Sequence, residues 1–284
     1  MWLQERIVNA RLEARSLHRR FGVECVEHVD IYGFAERLGV QIVDVHMEGA
    51  LAQLVANQRR TRILLSDRLV DPAMRRAAIA HELGHLLLNH PTAQLGDARE
   101  PGIAPMPRPI QMCSATQARD LEYEAHGFAL ELLTPAPSVE AFRRSDPTLE
   151  LCSQLAMSAW IPMDYAALRI AETSDRLCAA VLSERDGILW VAASRSFTSV
   201  FGESLAGRLR QGQPLDGRTL ASRILDRGTP CRPSPVPALA WLGTDGRELV
   251  EASAPVGPCG GVLTMLWPAA VEAALATVSS RWVH

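Results

Sequence analysis

Six cysteines, at positions 25, 113, 152, 178, 231 and 259, are scattered over 284 residues without one C-x-x-C pair. That excludes a cysteine-built zinc module and argues for reduced thiols over a disulfide framework. No run of 18 apolar residues occurs, so a membrane-spanning helix is excluded. The opening Met1-Trp2-Leu3-Gln4-Glu5-Arg6 lacks the charged-then-apolar order of a secretory signal, and a cytoplasmic chain is the expectation. An excess of charge is also missing. With 29 basic and 32 acidic residues the net charge is -3, which leaves no overall electrostatic footprint for nucleic acid. The 48% hydrophobic content is enough for real cores, and the length suits two domains or slightly more.

Against these absences stands one dense motif. His81-Glu82-Leu83-Gly84-His85, set in an apolar stretch from Ala77 to Leu88, is the H-E-x-x-H pattern of a zinc-peptidase helix. Positions i and i+4 lie one turn apart on one helix face, so both imidazoles can converge on a single ion. Glu82 sits slightly round the cylinder, where a general base can take a proton from water without ligating the metal. The bland alternative is a buried amphipathic helix with two satisfied histidines. It leaves unexplained why a core helix would bear the desolvation of two His and a Glu.

Catalytic zinc usually takes three protein ligands and keeps one open position. The segment Asp120 to Leu133, followed by Pro135, has helical periodicity with Leu121, Ala125, Phe128, Ala129 and Leu132 on one side. A carboxylate from this second helix could complete the site. Glu122 and Glu124 both qualify on chemistry, but they point about 200° apart, so only one can face the ion.

The run His-Glu-Leu-Gly-His-Leu-Leu-Leu, followed by Glu122-x-x-Ala125-His126-x-Phe128-Ala129-x-x-Leu132-Leu133-Thr134-Pro135, resembles the ImmA/IrrE family of metallopeptidases. Aligning the second helix on its Leu-Leu-x-Pro end puts the family's third metal ligand on Glu122 and leaves Glu124 as a flanking carboxylate. Where the family usually has Asn or Asp, this chain has His126, a place from which a side chain orients a ligand histidine in related enzymes. Before the motif, Arg76-Ala77-Ala78 replaces an expected Arg-Phe-Thr, which implies altered packing behind the helix. The resemblance implies zinc, with manganese, cobalt or iron also suited to a His2Glu site. It further implies a thermolysin-like (zincin) α+β domain whose small sheet offers an edge strand to an extended peptide.

His90 lies about 140° round the axis from His85 if the helix continues, which reads as surface or substrate cleft. His18, His28, His46 and His284 lack partners at ligand spacing. Tyr123, His90, Arg99 and Arg108 are all conceivable oxyanion donors, and the sequence does not choose among them. Residues Pro91 to Arg119 carry Gly96, Pro101, Gly102, Pro105, Pro107 and Pro109 and read as a long loop over the site. Cys113 within it reads as a small apolar residue rather than a thiolate capping the open metal position.

Upstream, Gln4 to Phe21 is a helix with Arg11, Arg15, Arg19 and Arg20 on solvated faces. Asp30 to Leu38 is a short helix, Val40 to Val45 a strand, and Leu51 to Ala56 with Arg62 to Leu65 a hairpin. Residues 1–145 thus form the peptidase-like domain. Residues 146–176, with helices at Leu149 to Ala156 and Tyr165 to Ile170, form a helix-turn-helix-like segment. Arg169 is the only basic residue between Arg144 and Arg176, which favours packing or protein docking over DNA. Residues 177–284 form a C-terminal α+β domain, GAF-like by analogy with longer family members. Its hairpins are predicted at Ala179–Glu184 with Ile188–Ala193 and at Ala238–Leu242 with Glu248–Ala252. Helices are predicted at Glu203–Arg210, Thr219–Arg227 and Ala269–Ser279, and a strand from Gly260 to Trp267.

The reading is a zinc endopeptidase in which His81, His85 and Glu122 hold the ion and Glu82 is the base. By resemblance the substrate is a cytosolic helix-turn-helix repressor of the XRE type, with neither membrane nor direct nucleic-acid binding expected. The alternatives are a metal-binding regulator without proteolysis and a DNA-binding regulator built on residues 149–170.

Overall fold

A computed structural model describes residues 2–47, 51–56, 60–91, 93–94, 116–228, 232–243, 248–257 and 260–269. The chain divides into two compact units, one of Met1–Ser138 with Ala156–Pro162, the other of Val139–Leu155 with Met163–His284. The architecture is α+β in both.

The first unit begins with α1 (Trp2–Phe21) and α2 (Ile31–Arg37), followed by β1 (Val40–Val45), β2 (Ala52–Ala56) and β3 (Thr61–Ser66). Then come α3 (Pro72–Leu87), the two-residue β4 (Ala93–Gln94), α4 (Thr116–Leu133) and α5 (Ala136–Glu140), of which Val139 and Glu140 group with the second unit. The sheet order is β1-β3-β2-β4. The predicted hairpin is present as the antiparallel β2–β3 pair, whereas β1 runs parallel to β3 and β4 parallel to β2. Ile63 and Leu65 of β3, Ile79 and Leu83 of α3, and Phe128 and Leu132 of α4 are all buried where α3 packs against β3 and α4.

Local chemistry sets where α3 begins. Asp71 caps it by accepting from Ala73 N–H at 2.8 Å, and Pro72, which has no N–H to leave unpaired, fills the first helical position. Arg75 ties the first turn to β1 through a 2.6 Å contact with Asp44. Behind the helix, Arg76 donates to the carbonyls of Val29 at 3.1 Å and Trp160 at 3.2 Å. This arginine satisfies carbonyls left open where the helix ending at Ala159 stops.

The first helix is bound to α4 more closely than a solvated arginine face implies. Arg15 Nε donates to the buried Glu131 at 2.8 Å, and His18 Nε2 lies 2.9 Å from the Leu132 carbonyl. Arg15 reaches the buried Glu131 while staying exposed itself, as Arg19 and Arg20 do and as expected.

In the second unit α6 (Leu149–Ala159), of which Ala156–Ala159 group with the first unit, leads to α7 (Met163–Thr173). There follow β5 (Ala179–Glu184), β6 (Gly187–Ala193), α8 (Arg195–Gly207), α9 (Leu220–Arg227), β7 (Ser234–Pro237), α10 (Ala238–Leu242), β8 (Glu248–Val256) and β9 (Gly261–Pro268). The antiparallel sheet has the order β6-β5-β9-β8-β7. The β5–β6 hairpin matches expectation. The second predicted hairpin does not: Ala238–Leu242 is helical, and Ser234–Pro237 supplies the strand that pairs with β8. A five-residue apolar run has no periodicity with which to distinguish strand from buried helix, and Gly243 at φ 70° ends it as a helix cap. Helix α8 also starts eight residues earlier than the predicted Glu203. Residues 244–247, which join the two segments of that predicted hairpin, and most of the predicted closing helix lie outside the described residues. Among the described residues, no helix is long and apolar enough to cross a membrane.

Candidate metal centre

Helices α3 and α4 meet at Gly84. A Cβ at this position would stand 3.0 Å from the Ala125 carbonyl oxygen and 3.1 Å from Phe128 Cδ1, so any other residue would push the helices apart by a few tenths of an ångström. The close crossing brings Glu122, one turn before Ala125, over the two histidines of α3. His81 Nε2 lies 3.0 Å from Glu122 Oε2 and 3.0 Å from His85 Nε2, and His85 Nε2 lies 3.5 Å from Glu122 Oε1. Zinc with bonds of about 2.0–2.2 Å to N and O donors needs tetrahedral donor–donor edges of about 3.3–3.5 Å. The His81–His85 distance and the distance from each histidine to one of the two Glu122 oxygens fall within a few tenths of an ångström of that, and imidazole with carboxylate is a donor set that divalent ions accept. Among the described residues, these three form the group that could hold a metal ion.

Glu82 is not one of the three donors. It is 8% exposed, and its Oε2 accepts from Leu54 N–H at 2.7 Å. Strand β2 therefore spends one main-chain donor on holding this carboxylate. Burial raises the Glu82 carboxyl above the usual range, outweighing the opposing influence of His81, His85 and the Leu54 N–H. Glu122 behaves differently. Burial would raise it, but the hydrogen bonds and charges of His81 and His85 prevail and hold it well below the carboxylate range. For His81, burial pulls down while the Glu122 hydrogen bond and the two carboxylate charges push up, with a net rise.

His90 corrects the reading from sequence. It is 7% exposed, not on the surface, and its Nδ1 lies 2.9 Å from His85 Nδ1. Extrapolating the helix past Leu87 fails because Asn89 adopts φ 54° and turns the chain back. His90 N–H then bonds the His85 carbonyl at 2.9 Å and Asn89 N–H the Leu86 carbonyl at 3.2 Å. That pair of bonds is the Schellman motif, which brings the second residue past the cap onto the residue three before the helix end. Here those residues are His90 and His85. An asparagine followed by histidine after the apolar run was the available signal.

His90 Nε2 lies 3.5 Å from Glu124 Oε2, and the other carboxylate oxygen of Glu124 pairs with Arg6 of α1. Burial lowers His90 to about 4, with the charges of His85 and Arg6 acting in the same sense. His126 is lowered to about 3, first by burial and then by the charges of His81 and Arg11. Tyr123 is half-buried beside Glu122. His46 pairs with Asp67 at 3.2 Å, away from the centre, and His28 is exposed. Arg99, Arg108, Cys113 and His284 lie outside the described residues.

Two histidines one turn apart, a carboxylate from a crossing helix and a buried glutamate beside them define the site of a metallopeptidase-type domain. Sequence comparison agrees: residues 35–170 match the IrrE N-terminal-like domain of the Peptidase M78 family, the domain of the ImmA/IrrE metallopeptidases. No curated protein matches the chain. Among solved structures it is similar to a Mycobacterium tuberculosis transcriptional regulator, with 14% identity over 91% of this chain and 86% of that one and a TM-score of 0.52. At that identity the likeness is one of fold.

Proposed function

We propose that the protein is a metal-dependent endopeptidase that cuts an extended segment of a protein substrate. The observation that carries this reading is the placement of Glu82, buried and hydrogen-bonded to Leu54 beside the three donors. A purely structural metal site needs no such base. His81, His85 and Glu122 would hold the ion, zinc by preference, with manganese, cobalt or iron accepted where available. When bound, the ion supplies Lewis acidity, polarising a scissile carbonyl and acidifying water. Glu82 takes the proton from water and passes it to the leaving amine, and its raised proton affinity suits that exchange.

Strand β2 offers the peptide a place to bind. Its partner β4 pairs only at Val55 and Ala56, so the edge at Ala52 to Leu54 lies beside Glu82 without a described strand across from it. An extended substrate can add main-chain hydrogen bonds there to groups other than the Leu54 N–H, which Glu82 already occupies, as on the zincin scaffold that this domain resembles. By the same resemblance the substrate is a cytosolic XRE-type helix-turn-helix repressor, cut to release stress-response or mobile-element genes. The C-terminal sheet, GAF-like by analogy, would act as the regulatory domain.

A DNA-binding regulator is the second reading, suggested by the fold shared with the Mycobacterium tuberculosis transcriptional regulator. The helix pair α6–α7 argues against it. Its only basic side chain, Arg169, is 2% exposed and cannot reach phosphate. Incubation with the XRE-type repressor encoded nearest to this gene, with and without chelator, tests the first reading by mass spectrometry of the products. Chelator-sensitive cleavage at one position is expected. An intact repressor with zinc-loaded enzyme overturns this substrate.

A further inference from the structure

We propose that His90, Glu124 and Arg6 form a positioning relay that presents His85 to the metal in one tautomer. The inference rests on the metal-site reading above and adds three residues to it. Both ends of the chain of contacts have fixed roles. At one end, His85 Nε2 faces His81 and Glu122, so coordination requires its lone pair and the ring proton must sit on Nδ1. At the other end Arg6 can only donate, and it is paired with Glu124.

Between these ends the assignments follow. His85 Nδ1–H donates to His90 Nδ1 across 2.9 Å, which obliges His90 to carry its proton on Nε2. That nitrogen is buried, has no hydrogen-bond partner among the described residues, and faces Glu124 Oε2 at 3.5 Å, an ion-pair distance. Donors thus converge on the carboxylate from both sides. The Schellman turn at Asn89 fixes where His90 stands, and α1 supplies Arg6 from outside the residues that match the family. A carboxylate–histidine pair behind a ligand histidine sets its orientation and raises its basicity. In this chain an extra imidazole is interposed between carboxylate and ligand.

Zinc affinity, measured by competition with a chromophoric chelator and without any substrate, separates positioning from packing. His90→Leu keeps an apolar contact in the Schellman turn but removes the acceptor. His90→Asn places Oδ1 where His90 Nδ1 stood. The expected result is roughly 10- to 100-fold weaker zinc binding for His90→Leu and recovery to within a few-fold of wild type for His90→Asn. The visible absorption of the cobalt-substituted protein should shift in His90→Leu and return in His90→Asn. Glu124→Gln, which leaves His90 in place, should weaken zinc binding by a smaller factor and provides the independent arm should His90→Leu fail to fold. Wild-type affinity in both His90→Leu and Glu124→Gln, or equal losses in His90→Leu and His90→Asn, overturns the relay. Because no cleavage is measured, such an outcome leaves the peptidase reading standing. Loss of cleavage on the repressor leaves the relay standing in turn.

Discussion

Gly84 of α3 packs directly on the backbone of Ala125: an added methyl would meet the Ala125 carbonyl oxygen at 3.0 Å and its Cα at 3.1 Å, tight enough to push the two helices apart. The conformational cost of a glycine inside a helix is therefore offset by helix proximity, and that proximity lets Glu122 reach both histidines.

Gly84→Ala should consequently weaken zinc binding by about tenfold. Alanine gains roughly 1 kcal/mol in helix propensity, but separating two packed backbones costs about 1–3 kcal/mol. A net destabilisation near 1 kcal/mol is expected in urea titrations of the metal-free protein. Unchanged zinc affinity would show that the helix spacing does not govern the donor triangle.

Glu82→Gln should bind zinc as the wild type does and lose cleavage by at least about 100-fold, since general-base catalysis contributes 10²–10⁴. The amide oxygen can still accept from Leu54 N–H, so the local fold is retained. Metal content by mass spectrometry alongside product formation distinguishes a lost base from a lost ion.

The pH dependence of stability should carry a histidine signature. His126 stays neutral in the fold down to about 3, against an ordinary value of 6.5. Between those values the unfolded chain binds the additional proton, so the stabilising contribution is complete above about pH 6.5 and is lost as pH falls. The slope is at most about 1.4 kcal/mol per pH unit for one proton. Chelator-treated wild type should lose stability from pH 6.5 to 4 more steeply than His126→Gln. Parallel curves would remove His126 from the account.

In the C-terminal unit, fully buried Glu251 accepts from Ala221 N–H at 2.8 Å, Trp241 Nε1–H at 2.8 Å and Ser253 Oγ–H at 2.9 Å. It joins β8 to the start of α9 and to α10. Glu251→Ala strands these donors and should cost about 3–5 kcal/mol, read from unfolding monitored by tryptophan fluorescence. A loss under about 1 kcal/mol would mean that water replaces the carboxylate.

His81, Glu82 and His85 were legible in the chain because their relation is local: a 3.6-residue period fixes which side chains share a face. Glu122 needed more. Spacing left it level with Glu124, and the family pattern selected it. The structure gives both carboxylates distinct places, Glu122 over the histidines and Glu124 against His90 and Arg6. His90 was misread because a helical angle was carried past the point where Asn89 leaves the helix. The same limit applies at Ala238–Leu242, where five apolar residues lack the length to reveal a period.

What the sequence alone determined is therefore the arrangement of His81, Glu82 and His85 on one helix, and the helices and strands with enough periodicity to declare themselves. Tertiary structure decided the rest of the centre. The approach of α3 and α4 through Gly84, the return of His90 onto His85 and the reach of Arg6 from α1 to Glu124 join residues up to 118 positions apart. Such contacts depend on backbone distances between separate elements, which packing sets and no local repeat encodes.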